Sequence, residues 1–177
     1  MTNRGSRMGR YLLFLFAAPW SLTVGWGWVL LLALAGAARN LRWEPTGVLT
    51  AVWRDWAARR WRYSTTLGRG IIYQENDRAA AGEPWTSIQQ HEHVHVRQVE
   101  DAMLLSLVLG AVVYGVTANL WLGLSLWWSG GGWQLPNFAT AWLRGGDPYR
   151  DSEHERAAYA ETGKDADGVS WLGRRAV

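Results

Sequence analysis

Residues 87–98 read Ser-Ile-Gln-Gln-His-Glu-His-Val-His-Val-Arg-Gln, and within them His91-Glu92-x-x-His95 is the one pattern in the chain that specifies chemistry. Helix positions four apart share a face, with Cβ atoms about 5–6 Å apart, so a helix here aims the His91 and His95 imidazoles at a single metal ion. Glu92 then stands beside the metal without being needed as a ligand. Its carboxylate can hold a water, take its proton during attack on a carbonyl, and pass that proton to the leaving amine. The chain has four histidines; three fall within 91–95 and the fourth, His154, adjoins a cluster of acids. So short a pattern also arises by chance, and a third ligand has to decide.

A catalytic zinc takes three protein ligands and keeps a position open for water. Residues 145–161 run Gly-Gly-Asp-Pro-Tyr-Arg-Asp-Ser-Glu-His-Glu-Arg-Ala-Ala-Tyr-Ala-Glu. Asp147-Pro148 signals a turn, and Ser152 is an N-cap for a helix over 152–161 carrying Glu153 and Glu155. Glu155 is preferred to Glu153 as the ligand because Ala157 and Ala158 after it let another helix approach closely. The alternative reading makes Glu153, Glu155 and Glu161 solvated carboxylates, the first two favouring the positive end of a helix.

Three stretches taken together resemble a known family. Ser-Thr-Thr-Leu-Gly-Arg-Gly-Ile-Ile-Tyr (64–73), His-Glu-x-x-His-Val-x-Gln (91–98) and Glu-Arg-Ala-Ala-Tyr-Ala (155–160) are similar to small gluzincin-type zinc metallopeptidase domains. Those place a β-hairpin before an HExxHxxQ helix and a later helix with a pattern close to Asn-Pro-x-Glu-Arg-Glu-Ala. The resemblance covers 60–161 and implies His91, His95 and Glu155 as ligands of one Zn2+ and Glu92 as general base. Ser152-Glu153-His154 stands where Asn-Pro and an aromatic are common, and Ala157 replaces the usual second acid; both departures touch the helix entry and the surroundings of the ligand.

His93 lies about 200° round the helix from His91 and does not share its metal; a polar face or a supporting contact is its expected use. Gln98 falls on nearly the same stripe as His91, either bonding a neighbouring backbone or ligand or lying on the surface. His154 and Tyr159 are candidates to donate a hydrogen bond to an oxyanion formed on attack.

Hydrophobicity comes in blocks: no charged residue occurs from Tyr11 to Ala38 or from Ala102 to Leu143. About 20 apolar residues suffice to cross a bilayer, and the mean hydropathy of −0.15 hides these blocks behind densely charged remainders. Trp20, Trp26, Trp28, Trp121, Trp127, Trp128, Trp133 and Trp142 lie in or at the rims of the blocks, as an interfacial aromatic belt requires. Against this stand a buried helix pair in a soluble domain and, for 11–38, a signal peptide preceded by Arg4, Arg7 and Arg10. Pro19 to Trp28 suggests a bent span or tight hairpin. Because His91, His95 and Glu155 must meet, the 110–143 block is expected to form a hairpin. It would make two short crossings of about 17–20 residues or two partly embedded helices around its Gly-rich middle.

Residues 40–86 carry strand signals at Leu41–Glu44, Val48–Asp55, Trp61–Thr66 and Gly70–Gln74, with turns at Pro45-Thr46-Gly47 and Leu67-Gly68 and a short helix as the alternative at Ala57–Trp61. They predict a small antiparallel sheet as a platform for the active helix, its last strand offering an edge for an extended substrate. Glu75–Pro84 reads as a loop, the active helix as running from Ser87 to about Leu109, and 162–177 as a mobile tail.

The expected architecture is therefore α+β: one mainly helical, membrane-associated, zincin-like domain over 1–161. Arg39, Arg42, Arg54, Arg59, Arg60 and Arg62 follow the first block and lean the catalytic face to the cytoplasm. The net charge of +3 and pI near 9.6 point to anionic lipid headgroups rather than nucleic acid, since the arginines flank apolar blocks instead of forming a stripe. Cysteine is absent, which excludes disulfides and thiolate ligands and leaves nitrogen and oxygen donors suited to zinc. The expected function is a membrane-bound zinc-dependent peptidase acting on a peptide or protein. The rival is a non-catalytic membrane protein whose metal serves structure or partner binding.

Overall fold

The computed structural model of the chain describes residues 20–61, 63–75, 87–147 and 151–162. The arginines at 4, 7 and 10, residues 11–19 of the 11–38 block, Arg62, nearly all of the 75–84 loop, Pro148 of the 147–148 turn and the tail beyond Thr162 lie outside them.

The first described element is a π-helical stretch, Ser21–Trp26, continuing into α1, Gly27–Leu34. Among the described residues its apolar stretch, Thr23–Leu34, is shorter than a bilayer crossing. One side of α1 packs on the sheet through Val29, which joins Ala51, Trp53 and Ile72 in the main core, while Leu30, Leu31 and Leu34 remain exposed. The approach is close enough that a Cβ on Gly70 would stand 2.1 Å from the Gly25 carbonyl oxygen. Only glycine fits that crossing.

The sheet comprises β1 (Ala38–Trp43), β2 (Leu49–Trp53), β3 (Thr65–Leu67) and β4 (Gly70–Tyr73) in the order β1-β2-β4-β3. A short helix α2, Asp55–Ala58, links the halves; it covers Ala57 and Ala58 of the Ala57–Trp61 helical alternative, Arg59 and Arg60 form a turn, and Trp61 is not in a strand. β1 pairs antiparallel with β2 and β3 antiparallel with β4, but β2 and β4 run parallel, Leu49 opposite Gly70 and Val52 opposite Tyr73. The expected antiparallel sheet is thus mixed. Burial explains the order: every residue of β2 and β4 is buried, so these two take the centre, while the Thr-Thr-Leu of β3 and the Arg-bearing β1 go to the edges. The last strand is therefore interior and cannot offer an edge; β3 is the outer strand.

α3 is a single helix from Ser87 to Thr117, eight residues longer than the sequence predicts. It turns through Ala118 and Asn119 into α4, Leu120–Ser129. The turn is made by side chains: Asn119 Oδ1 accepts from Leu122 N at 3.1 Å, Thr117 Oγ1 accepts from Asn119 N at 3.2 Å, and Ala118 takes φ +52°. The hairpin exists, but not around the glycine run. Gly130–Gly132 instead forms a 3-10 turn at its base, where a Cβ on Gly130 would touch Ser106 and the Ala102 carbonyl. Nor does it contain two crossings of 17–20 residues, since α4 spans only about 15 Å at 1.5 Å per residue. Gly110 and Gly123 let the α3 and α4 backbones touch, a Cβ on Gly110 falling 2.4 Å from the Gly123 carbonyl oxygen. Ile88–Thr117 is long and apolar enough to cross a membrane.

α5 (Gln134–Leu143) follows the glycine turn, and α6 (Glu153–Thr162) lies against α3. A buried ion pair fastens α3 to the sheet: Arg69, in the β3–β4 turn, meets Glu100 at 2.5 Å and also donates to the Thr46 carbonyl.

Candidate metal centre

His91 and His95 stand one helical turn apart on α3, and both imidazoles are buried. Their Nε2 atoms lie 3.0 Å from each other, and Glu155 Oε2, from the first turn of α6, lies 3.0 Å from His91 Nε2 and 3.2 Å from His95 Nε2. Three donor atoms therefore close a nearly equilateral triangle, and the group can hold a metal ion. Tetrahedral coordination with bonds of about 2.0–2.1 Å sets ligand atoms roughly 3.3 Å apart, close to the sides found here. The triangle brings two nitrogens and a carboxylate oxygen together in a buried place, an arrangement that a shared cation satisfies far better than hydrogen bonds among themselves.

Surrounding groups orient these three side chains. His95 Nδ1 donates to Gln98 Oε1 at 2.9 Å, which presents the Nε2 lone pair to the centre, and Gln98 Nε2 donates to the His154 carbonyl at 3.0 Å. One carboxamide thus ties the His95 ring to the start of α6. Tyr159, one turn after Glu155, covers His91 with ring centroids 4.2 Å apart. Burial alone would raise the Glu155 carboxyl pKa, but hydrogen bonds and charge interactions with His91 and His95 prevail and hold it at about 2. It is an anion, the form in which a carboxylate can bind a metal ion.

Glu92 is 2% exposed and donates nothing to the triangle; its Oε2 accepts from Thr66 Oγ1, on β3, at 2.5 Å. The carboxylate thus lies buried beside the two imidazoles but outside the donor set. Thr66 was not singled out from sequence. Its only signal in the sequence is its position in the hairpin before α3.

His154 is buried among Phe138, Trp133 and His95, with ring centroids 4.6, 5.8 and 5.5 Å away. Its Nε2 is 3.9 Å from Glu155 Oε1, and its Nδ1 has no hydrogen-bond partner among the described residues. Burial pushes its pKa down to about 4, so the ring is neutral at neutral pH. The arrangement sets His154 behind the ligand carboxylate. His93 points elsewhere: Nδ1 donates to the Gln89 carbonyl and Nε2 faces Glu44 Oε2, each at 2.8 Å, tying α3 to the β1–β2 turn.

Glu153 is exposed, and Glu161 is an exposed partner of Arg97. Ala158 is fully buried where α6 meets α3, but Ala157 is exposed and contributes nothing to that approach.

No protein-family model, no curated protein and no solved structure matches the chain.

Proposed function

We propose that this protein is a membrane-bound, zinc-dependent peptidase of gluzincin type. The observation that carries the reading is the closed triangle of His91, His95 and Glu155 with Glu92 buried beside it and outside the donor set. Two imidazoles and a carboxylate are a zinc-hydrolase ligand set, and zinc, when bound, supplies a Lewis acid and an acidified water. Glu92 takes the proton of the attacking water and returns it to the leaving amine, while the Thr66 hydroxyl fixes which carboxylate oxygen faces the reaction. An extended substrate backbone pairs along β3, the outer strand that carries Thr66.

The rival reading, a metal held for structure or partner binding, gives Glu92 nothing to do, and a buried carboxylate is costly to keep without a use. Membrane attachment is supported by the length and apolarity of Ile88–Thr117 and by the exposed Leu105, Val108, Val112, Val116 and Trp121 of the hairpin. Anionic headgroups are the expected lipid partner. The arginines of β1 and those flanking α2 favour a cytoplasmic catalytic face.

Glu92→Gln should retain zinc stoichiometry, measured on detergent-purified protein, and abolish hydrolysis of a peptide library. Equal turnover by the variant would dismiss the enzymatic reading. His95→Ala should lose the metal.

A further inference from the structure

One rigid element fixes how far the metal centre stands from the apolar layer. α3 runs unbroken from Ser87 to Thr117, carries His91 and His95 near its start, and has no charged residue after Asp101. Seven to eleven positions separate the two imidazoles from Ala102, about 10 to 16 Å at 1.5 Å per residue. Beyond Asp101 the outward side chains of the α3–α4 hairpin are uncharged and mostly apolar, with Thr117 and Asn119 at its tip and Ser125 and Ser129 on α4 also exposed, over a height of about 24 Å, most of a hydrocarbon core of about 30 Å. Both ends of the hairpin return to the same level, Gly130 packing beside Ala102.

α5 gives a second measure of the same height. Leu135, Pro136, Ala139, Trp142 and Leu143 are exposed along one side of it, with Thr140 exposed at the border of that stripe, and Arg144 follows directly. The inward side sets the Phe138 ring against His154, next to the ligand Glu155. A helix with such an apolar outer stripe lies in the plane of the lipid surface. With a helix diameter of about 10–12 Å, it too raises the metal centre roughly one helix above the acyl boundary. The occupant of these faces is a phospholipid bilayer: the 102–143 stretch offers no charge to a protein partner, and charges resume on both sides of it, at Asp101 and Arg144.

We propose that the substrate is a membrane-anchored polypeptide, cut within a few residues of the bilayer surface; this rests on the peptidase reading above. An extended chain advances about 3.3 Å per residue, so a height of 10 to 16 Å corresponds to roughly three to five residues beyond the anchor. The register is measured from the membrane, not from the side chains of the substrate.

The test uses the full chain, zinc-loaded, in vesicles of phosphatidylcholine and phosphatidylglycerol. A randomised peptide stretch is offered joined directly to an apolar transmembrane anchor, joined through a flexible Gly-Ser spacer, or free. The anchored form should be cut about tenfold or more faster than the free form, and the cuts, mapped by mass spectrometry, should cluster about three to five residues from the anchor. In the spacer form the cuts should stay near the anchor and leave the randomised stretch intact. Equal rates for the free peptide, or cuts that follow sequence regardless of distance, overturn the proposal. Because the chain has no cysteine, spin labels on Gln90→Cys, Val108→Cys and Val116→Cys report depth independently of activity. Labels at 108 and 116 should meet oxygen and be shielded from an aqueous nickel chelate, and the label at 90 should show the reverse. All three in water overturns the register even if peptides are cut. Lipid-buried labels with no cleavage of any form overturn the peptidase reading, and the substrate assignment with it.

Discussion

Gln98 makes the ligand geometry depend on a single side chain that does not touch the metal position. In Gln98→Leu the His95 Nδ1–H, now donating at 2.9 Å, loses its acceptor, and the His154 carbonyl loses its donor at 3.0 Å. His95 is only 4% exposed, so water does not readily replace the lost partner. An unsatisfied buried group costs about 1–3 kcal/mol, which as a weakening of metal affinity is roughly 5- to 150-fold. The same span is typical of losing a group that orients a ligating histidine, about 10- to 100-fold. The assay is competition for zinc against a chelator of known affinity at constant pH. Gln98→Glu separates the two bonds, because a carboxylate still accepts from His95 but cannot donate to His154; it should recover most of the affinity. Zinc binding by Gln98→Leu within about twofold of the parent would refute the claim that this carboxamide sets the His95 tautomer.

Three further outcomes follow from the contacts described. Thr66→Val removes the hydroxyl held to Glu92 and should lower turnover about tenfold or more while leaving zinc affinity unchanged, read by steady-state kinetics alongside metal titration. Glu100→Ala leaves the Arg69 guanidinium buried without its carboxylate and should destabilise the fold by about 3–5 kcal/mol in denaturant titration, whereas replacing both residues with Met and Leu should cost much less. The His154 pKa is depressed in the folded state, so the stability that comes from keeping the ring neutral is fully present above pH 6.5 and lost as pH falls toward about 4. His154→Phe should flatten stability over that window, measured by thermal unfolding of the metal-free protein.

The metal centre was readable because its core is local. His91, Glu92 and His95 sit within two turns of one helix, and their spacing alone brings the two rings together. Glu155 came from a pattern at a distance and meets the pair, although Ala157 does not help bring it there. The sheet was harder. Its strands were marked by composition, but whether β4 lies beside β2 or at an edge is decided by burial across the whole sheet, which no single strand records. The hairpin turn was misplaced for a related reason: three glycines at 130–132 look like a bend, yet Asn119 and Thr117 make it by capping. Thr66, Arg69 and Glu44 act through partners 26, 31 and 49 residues away, on Glu92, Glu100 and His93, and such long-range pairs leave no periodic trace.

The separation of the ligands along the chain has a temporal consequence. Glu155 joins His91 and His95 across 64 and 60 residues, and the whole α3–α4 hairpin lies between them. Loop closure of that size is slow to nucleate unless the intervening segment is already folded. During synthesis the two imidazoles leave the ribosome well before the carboxylate, so the cation pocket completes last. The α3–α4 hairpin is local in sequence and can close on its own, so the three donor atoms come together only when α6 docks on α3.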